Sequence, residues 1–230
     1  MKTITAICLA FLLFSCAAQD EVLKPSYPNQ TVYSAPKIIP QVRVPIPMGE
    51  TPPILAIGTK FTFRQANAIT KNWNTQVWII KDINEWQGSK CYVIDISGGA
   101  GETFILWDTN LNYMATINKD GKAISIATPS IKTYTWPLKI GTSYDIKYEY
   151  SSAGKKVSSQ DQISVESMAN INVPAGSYST FVLKRISTGT TEKIFYSPTV
   201  GFPVKWQWSQ GIDHPQGPGE FIVELVMVGK

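Results

Sequence analysis

The sequence predicts an all-β protein, an antiparallel β-meander, duplicated along the chain and curled into a curved sheet or half-barrel. Three observations predict it. The first is turn chemistry in residues 172–208: in Val173-Pro174-Ala175-Gly176 the proline fixes φ near the value a turn needs, and the glycine can take a left-handed conformation that returns the chain as a hairpin. Ser197-Pro198-Thr199-Val200-Gly201 repeats that chemistry one hairpin later. The second is period two. Val204, Trp206 and Trp208 alternate with Lys205, Gln207 and Ser209, and Tyr144, Ile146, Tyr148 and Tyr150 alternate with Asp145, Lys147 and Glu149, so the large apolar groups of each run share one face. The third is an ordered recurrence of the same features in residues 84–117, an imperfect earlier copy.

In chain order, Lys2 precedes an uncharged apolar run from Ile4 to Phe14, too short for a bilayer core that needs roughly 20 residues. This run is an export signal and not a membrane anchor. From Glu21 to Pro53 eight prolines interrupt the chain, so neither a helix nor a central strand survives and residues 16–53 read as an extended tether. Asn29-Gln30-Thr31 matches a glycosylation sequon, which is short enough to arise by chance.

The folded part begins at Ile54. Leu55-Ala56-Ile57-Gly58-Thr59 leads into Lys60-Phe61-Thr62-Phe63, and Leu138-Lys139-Ile140-Gly141-Thr142 leads into Ser143-Tyr144-Asp145-Ile146, an offset of 83 from Leu55 to Leu138. Gly88-Ser89 pairs with Gly176-Ser177, and Glu102-Thr103-Phe104-Ile105 with Glu192-Lys193-Ile194-Phe195. Two copies are therefore expected, over 54–130 and 131–230, within one continuous domain. Strands are predicted over 77–83, 91–96, 103–107, 113–117, 123–126, 144–150, 162–165, 168–173, 181–186, 193–196, 204–208 and 221–228, with Asp120-Gly121, Gly98-Gly99 and Ala153-Gly154 as turns. Gln65 to Asn72 is a short polar helical candidate that a hairpin loop explains equally well, and the Gly/Pro-rich stretch from Gln207 to Glu220 is a loop.

Composition narrows the function. The chain has 230 residues, 43% hydrophobic and 17% charged, enough for a sizeable core, and its net charge of +4 is not gathered into a basic run, so no nucleic-acid partner is expected. Of three cysteines, Cys8 leaves with the signal and Cys91 lies in the apolar run Cys91-Tyr92-Val93-Ile94, where a small buried hydrophobe is expected.

Two resemblances add to this. Leu13-Phe14-Ser15-Cys16 resembles a bacterial lipobox, which implies lipid attachment at Cys16, although bulky Phe14 departs from the usual small residue; ordinary cleavage around Cys16-Ala17-Ala18 is the alternative. Ala17 after that cysteine resembles the sorting pattern for the outer membrane. The phrases Trp136-Pro137-Leu138-Lys139-Ile140-Gly141, Val173-Pro174-Ala175-Gly176 and Tyr196-Ser197-Pro198-Thr199-Val200-Gly201 together resemble a group of uncharacterised bacterial exported proteins, similar in architecture to the periplasmic lipoprotein-carrier fold. That resemblance implies a half-barrel around an apolar groove. It carries no functional residue.

The candidate chemistry is thin. The single histidine, His214, sits beside Asp213 in a Gly/Pro loop without a G-x-S-x-G phrase or a ligand set for zinc, so no catalytic residue, metal site or cofactor is expected. Asp95, Glu102, Asp108, Glu166 and Glu192 lie on or near strands, where a pair could serve carboxylate-based hydrolysis. Gly98-Gly99-Ala100-Gly101 lacks the Lys-Ser/Thr of a phosphate loop. The positive argument for a ligand rests on Trp107, Tyr113, Tyr196, Trp206 and Trp208, whose rings could line a groove for lipid chains or stack on sugars, or else form core between layers. The expected function is a non-enzymatic, lipid-anchored envelope protein that binds a hydrophobic or glycan ligand. A structural component binding another envelope protein through a sheet edge is the alternative.

Overall fold

The computed structural model describes residues 51–97, 103–212 and 218–230. The leader, Cys16, Asn29, the tether up to residue 50, Gly98 to Gly101, Glu102 and His214 lie outside the described residues. Twelve strands follow one another: β1 (Lys60–Asn67), β2 (Asn74–Trp86), β3 (Ser89–Ser97), β4 (Thr103–Asp108), β5 (Tyr113–Asn118), β6 (Ala123–Ile131), β7 (Ser143–Ser152), β8 (Lys155–Val173), β9 (Gly176–Ser187), β10 (Thr190–Ser197), β11 (Phe202–Gln210) and β12 (Gly219–Gly229). Each pairs with its neighbour in sequence, and β12 returns to pair antiparallel with β1 from Lys60 opposite Gly229 to Asn67 opposite Phe221. The all-β meander is thus a closed barrel, one step beyond a curved half-barrel.

The turn residues act as their chemistry dictates. β8 and β9 close on the two-residue loop Pro174-Ala175, with Val173 opposite Gly176 at φ 134°. Gly201, at φ 70°, donates its N–H to the Ser197 carbonyl at 2.9 Å and turns β10 into β11. Three segments differ from the sequence expectation. Residues 162–165 and 168–173 are one strand, because the register merely slips between Val165 and Ser167 with Glu166 bulged out. The helical candidate is instead the end of β1 followed by a turn: Arg64 and Gln65 are paired on both sides, with β2 and β12, and the Asn67 side chain then accepts the Ile69 and Thr70 N–H groups. The 207–220 loop is shorter than expected, since β11 runs to Gln210 and β12 starts at Gly219 opposite it.

Alternation puts the large side chains inside. On β7, Ile146, Tyr148 and Tyr150 are buried while Asp145, Lys147 and Glu149 are exposed. In the interior, Phe202 lies between Phe61 and Trp107, stacked on the first with centroids 4.3 Å apart and on the second at 5.3 Å. Trp78 and Trp206 pack edge-on against Phe202, and Phe63 lies edge-on to both of them. Such ring pairs add about 0.5–1.5 kcal/mol each beyond the area they bury.

The end of the barrel where β1 begins is plugged by two phrases of alike sequence. Leu55 and Leu138 are both buried. Gly58, at φ 87°, donates to the Ile80 carbonyl, and the Ile80 N–H returns to Thr59; Gly141, at φ 85°, donates to the Val165 carbonyl, and the Val165 N–H returns to Thr142. Immediately beyond, β2 slips register between Ile80 and Asp82 as β8 does between Val165 and Ser167.

A buried polar cluster and a cleft at the plugged end

The five aromatic candidates all point into the barrel. Trp107, Tyr113, Tyr196, Trp206 and Trp208 are buried members of one hydrophobic core. Trp107 and Trp206 belong to the ring stack, Tyr196 packs against Tyr134 and Trp136, and Trp208 stacks on Phe221 directly across β12. Tyr113 is held by its hydroxyl, which shares hydrogen bonds with Ser125 at 2.7 Å and Thr116 at 3.0 Å. Between Trp107, Tyr113, Tyr134 and Trp206 a hollow of about 50 Å³ remains. That is room for a water or two and far below the roughly 300 Å³ at which small-ligand pockets begin.

The same hollow touches a charged cluster that composition alone does not single out. Arg185 on β9 donates from Nε to Asp161 Oδ2 at 2.8 Å, its Nη2 lies 2.7 Å from the same oxygen, and its Nη1 lies 3.6 Å from Glu192 Oε2. Tyr148 donates its hydroxyl to Asp161 at 3.0 Å. Four successive strands position these groups: Arg185 and Glu192 are direct cross-strand partners, and Asp161 sits diagonally from Arg185 across the β8–β9 ladder. Two carboxylates share one guanidinium, and burial outweighs the pull of Arg185 to raise the Glu192 carboxyl above the usual range, with Asp161 adding to the rise. Burial also pushes the Tyr148 hydroxyl up to about 12. Among the described residues, buried Asp161 Oδ1 and Trp107 Nε1 have no hydrogen-bond partner. The signal was present in the sequence: Asp161, Arg185 and Glu192 each fall in phase with the inward residues of their strands, Ile163, Leu183 and Ile194.

The other candidates are dispersed. Asp95 faces Lys81, Asp108 accepts the N–H groups of Asn110 and Asn112 in the β4–β5 turn, and bulged Glu166 lies between Lys184 and Lys193. Each has its own partners on a separate part of the sheet. Cys91 is fully buried against Leu106, Met114 and Ala115 on the outer side of the sheet, and burial raises its thiol.

The larger space is at the plugged end. Pro137, Leu138, Lys139 and Ile140 of the β6–β7 connection, Met168 of β8, Phe181 of β9 and Thr51 line a cleft of about 670 Å³. Ile140 and Met168 are 57% and 39% exposed, so two large apolar side chains meet water there. The cleft exists because β6 and β7 pair only over Ser125–Thr128 and diverge below, and because β7 stops opposite Ser164 of a much longer β8. From Ser167 to Val173, β8 has a strand partner on one side only, β9, among the described residues. Sequence reasoning found Leu138 and Ile140 as a strand lead-in but not the cleft, which depends on strand lengths that only pairing reveals.

These features define the chain as a closed twelve-strand antiparallel barrel with a filled interior and an apolar cleft at one plugged end. No protein-family model and no curated protein sequence matches it. Among solved structures it is similar to a Bacteroides fragilis protein described provisionally as exported and of YmcC-like fold, with 13% identity and TM-score 0.45 over 76% of this chain and 97% of that one. It is also similar to a Parabacteroides distasonis protein described provisionally as a lipoprotein, with 9% identity and TM-score 0.39 over 76% and 96% of the two chains.

Proposed function

We propose that the chain is a non-enzymatic, lipid-anchored protein of the bacterial envelope that takes an elongated aliphatic ligand, such as an acyl chain, in the cleft at the plugged end of the barrel. The observation that carries this reading is the cleft itself, about 670 Å³ lined by Leu138, Ile140, Met168 and Phe181, a volume within the usual range for small-molecule sites. Its lining favours acyl chains over sugars. Sugar stacking needs an open aromatic face, and the one aromatic residue there among the described residues, Phe181, is 3% exposed. Exposed Lys139 on the cleft wall complements an acidic head group. Export and anchoring rest on the apolar leader and the lipobox resemblance at Cys16. Support for the non-enzymatic reading is the separation of Asp95, Asp108 and Glu166, each facing its own cations or turn amides, and the placement of the Glu192–Arg185–Asp161 cluster beside a hollow of only about 50 Å³.

A dansyl-labelled undecanoic acid titrated into an unlipidated form spanning residues 17–230 tests the reading. Binding is expected, and Met168→Asp or Ile140→Asp is expected to weaken it about tenfold or more, since each buries a carboxylate against the chain. Absence of binding, or affinity unchanged from wild type in both variants, would sink the proposal. For the alternative of an envelope-protein partner pairing with a sheet edge, barrel closure leaves one-sided stretches such as Ser167–Val173 of β8 and Asp82–Trp86 of β2 among the described residues.

A further inference from the structure

Two exposed isoleucines occupy equivalent corners of the fold. Ala56 to Thr59 and Lys139 to Thr142 each form a turn closed at 3.1 Å, the last N–H donating to the first carbonyl, with isoleucine second and a left-handed glycine third. The leucine just before each turn is buried in the plug, whereas Ile57 and Ile140 at the corners stand 58% and 57% exposed. We propose that this end of the barrel is a membrane-docking face, seated on an anionic bilayer surface with the cleft opening onto it.

Three further observations support that occupant. Of the ten large apolar side chains that stand exposed among the described residues, six lie at this end: Ile54, Ile57, Ile140, Met168, Met227 and Val228. They project from turn corners and strand ends with lysines beside them. Lys60 and Lys139 follow and precede the two isoleucines, and both, with Lys132 of the β6–β7 connection, are exposed and form no ion pair among the described residues. Single apolar side chains flanked by lysines suit a bilayer interface, where the hydrocarbon enters between head groups and the ammonium stays at the phosphates. Finally, Thr51 lines the cleft, so the part of the chain that carries Cys16 joins the barrel at this same end, and a lipid there tethers the molecule by its apolar face. Docking in this orientation sets the cleft mouth, with Ile140 and Met168, against the acyl chains it is proposed to take. That transfer rests on the reading of the cleft as a ligand site, whereas docking does not.

Cosedimentation of the unlipidated chain, residues 17–230, with vesicles tests the face, using phosphatidylcholine alone or mixed equally with phosphatidylglycerol. Binding to the anionic vesicles is expected, weakened about tenfold by Ile57→Asp, further by adding Ile140→Asp, and several-fold by Lys60→Glu/Lys139→Glu. Ile69→Asp, in the exposed β1–β2 turn at the opposite end, is expected to change nothing. Absence of binding to anionic vesicles, or binding unchanged by Ile57→Asp, overturns docking. An equal loss from Ile69→Asp overturns the assignment to this end. No vesicle binding, together with a crosslink in cells from position 57 to an envelope protein, would give the face to a protein partner instead. Ile57 is outside the cleft lining, so Ile57→Asp should leave the affinity for dansyl-undecanoic acid in solution unchanged. Vesicle binding without any probe binding upholds docking and overturns the ligand reading, and probe binding without vesicle binding does the reverse.

Discussion

Arg185 sets the charge balance of the barrel interior. It is the cation against which buried Asp161 and half-buried Glu192 are placed, and Arg185→Met leaves both carboxyl groups without it. Removing one member of a buried ion pair costs about 3–5 kcal/mol, and urea denaturation is expected to show that loss. Glu192 supplies a pH signature. Burial raises its folded-state carboxyl above the unfolded value, so the folded protein binds the proton more tightly and this residue's contribution to stability falls as pH rises through the window between the two values. Melting curves should therefore show the Tm difference, Glu192→Gln minus wild type, becoming more positive from pH 4 to pH 7; a difference independent of pH would refute the assignment. At this scale the sequence was legible in phase but not in consequence. Period two placed Trp206, Trp208 and Tyr148 on an inner face, yet whether such rings line a groove or fill a core depends on closure by β12 on β1, a contact between the two ends of the described chain. Glu192 was visible as a strand carboxylate, whereas Asp161 and Arg185 went unmarked although they share the inward phase of Ile163 and Leu183.

The elements show which local signals survive packing. The proline-glycine turns formed where their backbone chemistry required, because a φ near +70° at Gly201 or +134° at Gly176 has few other solutions. The helical candidate at 65–72 failed because β12 pairs with Gln65, Ala66 and Asn67 and β2 also pairs with Gln65, and tertiary pairing overrides a weak local preference. The lead-in phrases at Leu55 and Leu138 share buried leucines, left-handed glycines, reciprocal hydrogen bonds to Ile80 and Val165, and an adjacent bulge. We propose on this correspondence that the six strands β1–β6 and the six strands β7–β12 are copies of one unit. Gly58→Ala and Gly141→Ala meet open space for the added Cβ, so the cost is the backbone conformation alone. Each variant is expected to lose about 1–2 kcal/mol of stability, and by similar amounts. A loss confined to one of them would count against equivalent roles.

The whole molecule turns a meander into a scaffold by closing it. Closure covers most strand edges, which limits adventitious pairing with other chains, and the ring stack of Phe61, Phe202 and Trp107 fills the interior. The larger open space thereby lies at the plugged end and not in the lumen, and unequal strand lengths there leave Met168 and Ile140 in water. We propose that this cleft, and not the aromatic interior, holds an aliphatic ligand. The most direct test is native mass spectrometry of the chain isolated from its own envelope, as wild type, Met168→Asp and Trp206→Phe. The account expects a bound lipid of defined mass on wild type and on Trp206→Phe, and its loss from Met168→Asp. A ligand retained by Met168→Asp but lost from Trp206→Phe, or no ligand on any form, would contradict it.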